Sequence, residues 1–303
     1  MTASALKIGW AEVEITPSQP VSVSGSFTLR ISQGVADPLF VTAWALDSGT
    51  EQAVFVSCEI VTIPDDLRDA VRSKLAGHQT GIDPMKVILN ATHTHHAPEM
   101  HTRVSIIGHT SSVGNGVELH EISPDIMAVE DYVEYAANRI VEAIIQAWQA
   151  RAPGGIAYGL GYAVIGRNRR WVDRDGHATM HGLNAATAER FQYIEGYEDH
   201  ALNLMATYDA DRKLTGLIVN FACTAQTPGN PQPDHISADF WCEIRYELRQ
   251  RFGSDLFILA QCSFAGDQTA YEQFDKQAEE RMRRLKGWTK RQEIAHSIAN
   301  AVD

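Results

Sequence analysis

The amino-acid sequence predicts an α/β protein: a mostly buried mixed sheet covered by helices. Two observations carry that expectation. Segments rich in β-branched and aromatic residues, several apolar on both faces, are bounded by turn residues. Between them lie amphipathic stretches with helical spacing. In chain order, strands are expected at Lys7–Ile15, Phe40–Asp47, Ala53–Ile60, Val87–Ala91, Ile156–Val164, Ala201–Tyr208, Leu214–Ala222 and Leu256–Gln261. After Pro64, the recurrence of Leu67, Val71 and Leu75 predicts a helix, and Val133, Ala137, Ile140, Val141, Ile144, Ile145 and Trp148 predict a longer one. A third is expected from about Asp239 to Arg251, where Trp241, Ile244, Leu248 and Phe252 share a face, Ser237 caps the start and Gly253 the end. Two more fill residues 271–302. No repeat or low-complexity linker interrupts the pattern, so one domain over residues 1–303 is expected.

Composition narrows the function classes. The chain has 303 residues, 44% of them hydrophobic, enough for one large core. Its 26 Lys and Arg face 38 Asp and Glu, a formal charge of −12 that repels phosphate backbones and argues against nucleic-acid binding. The basic residues between Lys276 and Arg291 are interleaved with Glu279 and Glu280, as on a solvated helix face. No apolar run is long enough for a membrane span, and the N-terminus lacks the basic start and apolar stretch of a signal peptide, so a cytoplasmic location is expected. Cys58, Cys223, Cys242 and Cys262 show no C-x-x-C spacing and are expected as free thiols.

Two stretches, Thr92–Ala128 and Gly166–His200, show no regular period, and loops of that length inside a compact chain are usually functional. The first opens with the strongest local signal. Val87–Ala91, read as a buried strand, runs directly into His93-Thr-His95-His96, and six of the twelve histidines lie between positions 93 and 120. If the backbone stays extended, His93 and His95 point to one side and His96 to the other, a pair of ligands for one metal ion. Clustered neutral imidazoles suit zinc or another late first-row metal better than magnesium. A second strand ends in a Pro- and Gly-rich loop that carries Gln226 and delivers His235 and Asp239 to a helix N-terminus, where Asp239 could equally be a plain helix-start residue, and a third ends at Gly266-Asp267-Gln268-Thr269. Asn168, Arg169 and Arg170 could place polar and guanidinium groups over a polar substrate. Convergence of such segments at strand carboxyl ends points to an enzyme.

Taken together, Ile8-Gly-Trp-Ala-Glu-Val-Glu-Ile-Thr-Pro17, Asn90-Ala-Thr-His-Thr-His95, Asn168-Arg169, Ile236-Ser-Ala-Asp239 and Gly266-Asp267 resemble, in order, the N-terminal catalytic domain of the neutral/alkaline (non-lysosomal) ceramidase family. The resemblance implies a zinc-dependent amidohydrolase acting on an N-acyl bond of a small-molecule substrate. It implies His93 as a zinc ligand and His95 beside the metal as a catalytic group, with Asp267 and the Thr269 hydroxyl in the place of the family's Gly-Asp-x-Ser segment. Substrate contacts are expected from Asn168, Arg169, Arg170, Gln226 and Asp239. Should the extended geometry persist through Thr94, His95 itself binds metal and His96 is left for proton transfer. Two departures stand out. The family's second zinc histidine follows a strand matched by Asn220–Cys223, but Thr224 occupies that place, and His235 is the expected displaced ligand. The family also draws a glutamate and a tyrosine from a later region with no counterpart before Asp303, so either the domain is cut short at its C-terminus or its site is completed differently. A sugar-linked amide, ester or lactone is therefore an alternative substrate, and a binding protein that kept the fold and lost hydrolysis is the rival class.

Overall fold

The computed structural model of the chain describes residues 6–26, 29–101, 125–180, 183–184, 186–229 and 232–303. Strands β1 (Lys7–Glu14), β2 (Gly34–Val35), β3 (Phe40–Asp47) and β4 (Gln52–Cys58) precede helix α1 (Asp65–Ala76). Strand β5 (Val87–Ala91), helix α2 (Val129–Gln149) and β6 (Ala152–Tyr162) follow. Next come β7 (Arg167–Asn168), β8 (Trp171–Asp173), β9 (Ala178–Thr179), β10 (Phe191–Ile194), β11 (Ala201–Asp209), β12 (Leu214–Phe221) and β13 (His235–Ile236). The chain ends with α3 (Phe240–Phe252), β14 (Phe257–Cys262), β15 (Gln268–Thr269), α4 (Lys276–Lys286) and α5 (Lys290–Val302). All eight expected strands are present, and they form one sheet in the order β14-β12-β11-β6-β1-β3-β4-β5. It is mixed: β4 with β5 and β12 with β14 run parallel, the other pairs antiparallel.

The sheet folds over itself. Its halves join only where Lys7 and Ile8 of β1 meet Pro153 and Ala152 of β6, a short hinge about which the ends approach. Ser57 on β4 and Asn90 on β5 both donate to the Ala260 carbonyl of β14, at 2.6 and 3.0 Å. Between the layers Trp10 stacks on Trp44 and on Phe257, each at 5.8 Å between centroids. Alternation along β1 turns Trp10 inward and Ala11 and Val13 outward into the larger core, where α2 packs across β1 and β3. Gly9 makes that approach possible, because a Cβ there would stand 2.0 Å from the Ala147 carbonyl of α2. Gly9→Ala forces helix and sheet apart, and we expect a loss of about 2–3 kcal/mol of stability in urea unfolding.

Three expectations need correction. The strand β5 is not buried: it is the edge of the sheet, paired only with β4, and Ile88 is 49% exposed. The covering by helices is also incomplete. Ile156, Tyr158, Leu160 and Tyr162 of β6 are exposed on one face, while Gly161 on the other lies against α5. Third, α3 is capped by Asp239, which accepts from Phe240 N at 2.7 Å; Ser237 instead accepts from Asp239 N at 3.0 Å. The stretch Gly166–His200, read as irregular, holds a small antiparallel sheet in the order β10-β8-β9. The four cysteines are free, with Cys58 and Cys223 buried. Helix α4 buries none of its residues. No described helix is long and apolar enough to cross a membrane.

Candidate metal and substrate site

The loops leaving the carboxyl ends of β5, β12 and β14 meet. His95 N donates to Ala225 O at 3.2 Å, joining the first loop to the second. Ser263 N donates to Phe221 O at 3.0 Å and Thr224 bridges to Thr269, joining the second to the third. Pairing of Gln268 with Asn168 adds the β7 segment.

The first loop leaves extended backbone at His93, whose φ of 62° lies in the left-handed region, a strain of about 1–3 kcal/mol for a residue with a side chain. A turn rather than a continued strand thus brings His93 and His95 together, with ring centroids 5.0 Å apart and planes at 71°. His93 Nδ1 donates to Val61 O and His95 Nδ1 to Gly25 O, each at 2.7 Å. A carbonyl can only accept, so in the neutral form of either ring Nε2 is the lone-pair nitrogen. His95 Nε2 is buried with no hydrogen-bond partner among the described residues, a vacancy that costs about 1–3 kcal/mol. Burial pulls the His95 ring down to about 4, with His93 adding to the effect, so it is neutral at neutral pH. Gly25 has φ 82° and a Cβ there would stand 2.4 Å from the His95 ring, so only glycine supplies this carbonyl. His96 faces elsewhere: its Nδ1 lies 3.2 Å from Pro233 O and its Nε2 3.9 Å from Asp239. Burial lowers its pKa, with Asp239 opposing.

Imidazoles with Nδ1–H anchored on backbone carbonyls and Nε2 left as a lone pair are built as metal-ligating histidines usually are. His93 and His95 therefore fit a zinc centre, in which each Nε2 could meet either the metal or a proton of the water beside it. The placement of His235 does not support the displaced-ligand expectation. It sits on β13, paired with Gly34 of β2, and His93, His95 and His235 do not bring three ring nitrogens within 4.8 Å of one another. Among the described residues, close ligand groups of three occur instead at Asp173/Asp175/His177 and at Glu272/Glu279/Glu293. The first is a turn in which Asp173 accepts backbone N–H bonds and the Arg190 guanidinium; the second is neutralised by Arg283 and Lys290. His109 and His120 lie outside the described residues.

Beside His95 opens a cavity of about 700 Å³. Of the residues singled out in the sequence, His95, Arg169, Gln226 and Thr269 line it. The others stand behind the wall or apart from it. Asn168 is 2% exposed; its Nδ2 donates to Asp267 at 2.9 Å and its Oδ1 accepts from Arg170 N at 2.8 Å, which fixes the backbone on both sides of Arg169. Asp239 is fully buried, bound to Thr227, the Phe240 amide and Arg291, so its role is to cap a helix and hold a loop. Arg170 is paired with Glu195 and does not line the cavity. Thr224 is buried, its hydroxyl 3.5 Å from Gln268 O. His96, from the same histidine cluster, lines it too, as do Arg30 and Tyr271, which the sequence did not single out. Arg30 reaches over from the β1–β2 connection to donate to Ser24 O, His95 O and Pro233 O. No local spacing announced it.

This geometry can be set beside known structures. A solved ceramidase complexed with C2 superposes with a TM-score of 0.67 at 18% identity over 98% of this chain and 44% of that one. The neutral ceramidase of Pseudomonas aeruginosa gives 0.66 at 20% identity, covering 98% and 45%. The chain thus has the fold of part of a ceramidase, in agreement with the family its motifs resemble, and it spans less than half the length of these two chains. No family profile and no curated protein sequence matches it.

Proposed function

We propose that the chain is a ceramidase-like, zinc-dependent hydrolase of an amide or ester bond, with His93 holding the metal and His95 handling the proton beside it. The observation that carries this reading is the buried, unpartnered Nε2 of His95, edge to face with a second histidine in the same tautomer. When bound, zinc lowers the pKa of water toward about 7 and polarises a carbonyl. The protein's own part is orientation. The Gly25 and Val61 carbonyls hold the two rings, and burial keeps the His95 lone pair free to accept the proton of the attacking water. Thr269 in the cavity wall offers a hydroxyl to the developing oxyanion, and Asp267, through Asn168, positions Arg169.

A polar substrate, such as an acylated sugar, stands beside ceramide as a candidate, because the wall mixes imidazole, guanidinium, amide and hydroxyl groups with Met180, Leu183, Pro228, Pro233 and Tyr271. The test is hydrolysis of N-acyl lipids beside acylated sugars and small amides, before and after chelation. Turnover abolished by chelator and restored by zinc supports the reading. Zinc-loaded protein inert on every member would leave the fold with a binding role. One variant reads the geometry directly. Gly25→Ala pushes the His95 ring aside, and we expect kcat to fall by on the order of 10²-fold with zinc content unchanged.

A further inference from the structure

The charge of the cavity wall runs against that of the chain. Asp and Glu make up 38 of 303 residues and outnumber Lys and Arg, yet among the described residues lining the cavity there is no carboxylate, and there are two guanidiniums, Arg30 and Arg169. The nearby acids are turned to other work. Asp267 is bonded to Asn168 and Gln268, and Asp239 is buried under Arg291 and Thr227. Asp234 acts on Arg30 from outside the lining. Arg30 is immobilised by three backbone carbonyls, one of them that of His95, and so is a fixed positive charge beside the proposed reacting centre. Arg169 is held more lightly. Its Nε and Nη2 both reach Gly266 O, at 3.3 and 2.7 Å, and Nη1 has no partner among the described residues, in a side chain that lines the cavity. Gln226 adds a side-chain amide to the same wall. A partly enclosed site walled by cations concentrates anions, and a guanidinium with unused donors orients an oxyanion.

We propose that the compound bound in this cavity is an anion: an acyl amide or ester carrying a carboxylate or phosphate, with its charged group held between Arg30 and Arg169. The inference deepens the hydrolase reading and rests on it for the acyl part, whereas the anion preference stands on the wall alone. The experiment therefore has a binding arm and a turnover arm. Binding of N-acetylglycine and of its uncharged amide to the zinc-free protein is measured by calorimetry, and N-acetylethanolamine phosphate is compared with N-acetylethanolamine, so that the two pairs separate carboxylate from phosphate. At least one anion is expected to bind about tenfold or more tightly than its neutral partner, to weaken with added salt, and to lose most of that ratio in Arg169→Gln. Equal or weaker binding of both anions, or a ratio untouched by Arg169→Gln, overturns the inference. In the turnover arm the same pairs are offered to the zinc-loaded protein. Anion-selective binding without hydrolysis of any probe counts against the hydrolase reading and leaves the anion site intact; hydrolysis confined to the neutral partners does the reverse.

Discussion

His93→Ala is expected to give a folded protein that no longer retains zinc and whose hydrolysis has fallen about a thousandfold, some 4 kcal/mol of activation barrier. The ring of His93 is half-buried and its one hydrogen bond is to Val61 O, so its removal barely disturbs packing and the melting temperature should move by no more than a few degrees. His95→Ala makes the informative contrast. If His95 handles the proton rather than the metal, zinc stays near one equivalent while kcat falls by roughly 10²–10⁴. Elemental analysis and kcat on the same preparations separate the two roles. Zinc lost equally from both variants would make His95 a ligand as well.

The second large effect lies in the fold beneath the site. Glu59, just past β4, and Arg245 on α3 form an ion pair with both side chains nearly buried, and Glu59 also accepts the Phe40 amide at 2.8 Å. Burial draws the guanidinium down to about 10, so it remains charged at neutral pH. Arg245→Ala strands a buried carboxylate, and we expect a loss of about 3–5 kcal/mol, a fall in melting temperature on the order of 10 °C. The double variant Arg245→Met/Glu59→Leu removes both charges and should recover most of that loss. Because Val61, which anchors His93, lies two residues beyond Glu59, the single variant should also weaken zinc retention. Denaturant unfolding of the three proteins, with zinc content measured alongside, reads both consequences. A single variant as stable as the parent would contradict this account of the pair.

The sheet was legible in the sequence because its strands are apolar and bounded by turn residues: β-branched residues in β3, β4 and β12 and the apolar start of β14 survive folding as they read. The edge position of β5 was not legible, since Val87-Ile-Leu is equally apolar whether one neighbour pairs with it or two. Nor was the closure of the sheet, which depends on Ala260 accepting side-chain donors from two strands far away in sequence. In the candidate site, Thr-His-Thr-His stands out by composition and spacing, and Arg169, Gln226 and Thr269 share the wall of one cavity with His95. Less legible were the charge partners: Arg170 and Asp239 are paired with Glu195 and Arg291, which come from elsewhere in the chain. Arg30 was invisible for the same reason, because its value comes from the carbonyls of Ser24, His95 and Pro233 converging on it.

The central claim is that the imidazole of His93 holds a zinc ion beside that of His95, and X-ray absorption spectroscopy of the zinc-loaded protein tests it most directly. The account predicts one equivalent of zinc with imidazole nitrogen in its first shell at about 2.0–2.1 Å, a signal lost in His93→Ala and unchanged in His177→Ala. Failure to retain zinc, or zinc whose imidazole signal survives His93→Ala and disappears with His177→Ala, would contradict it.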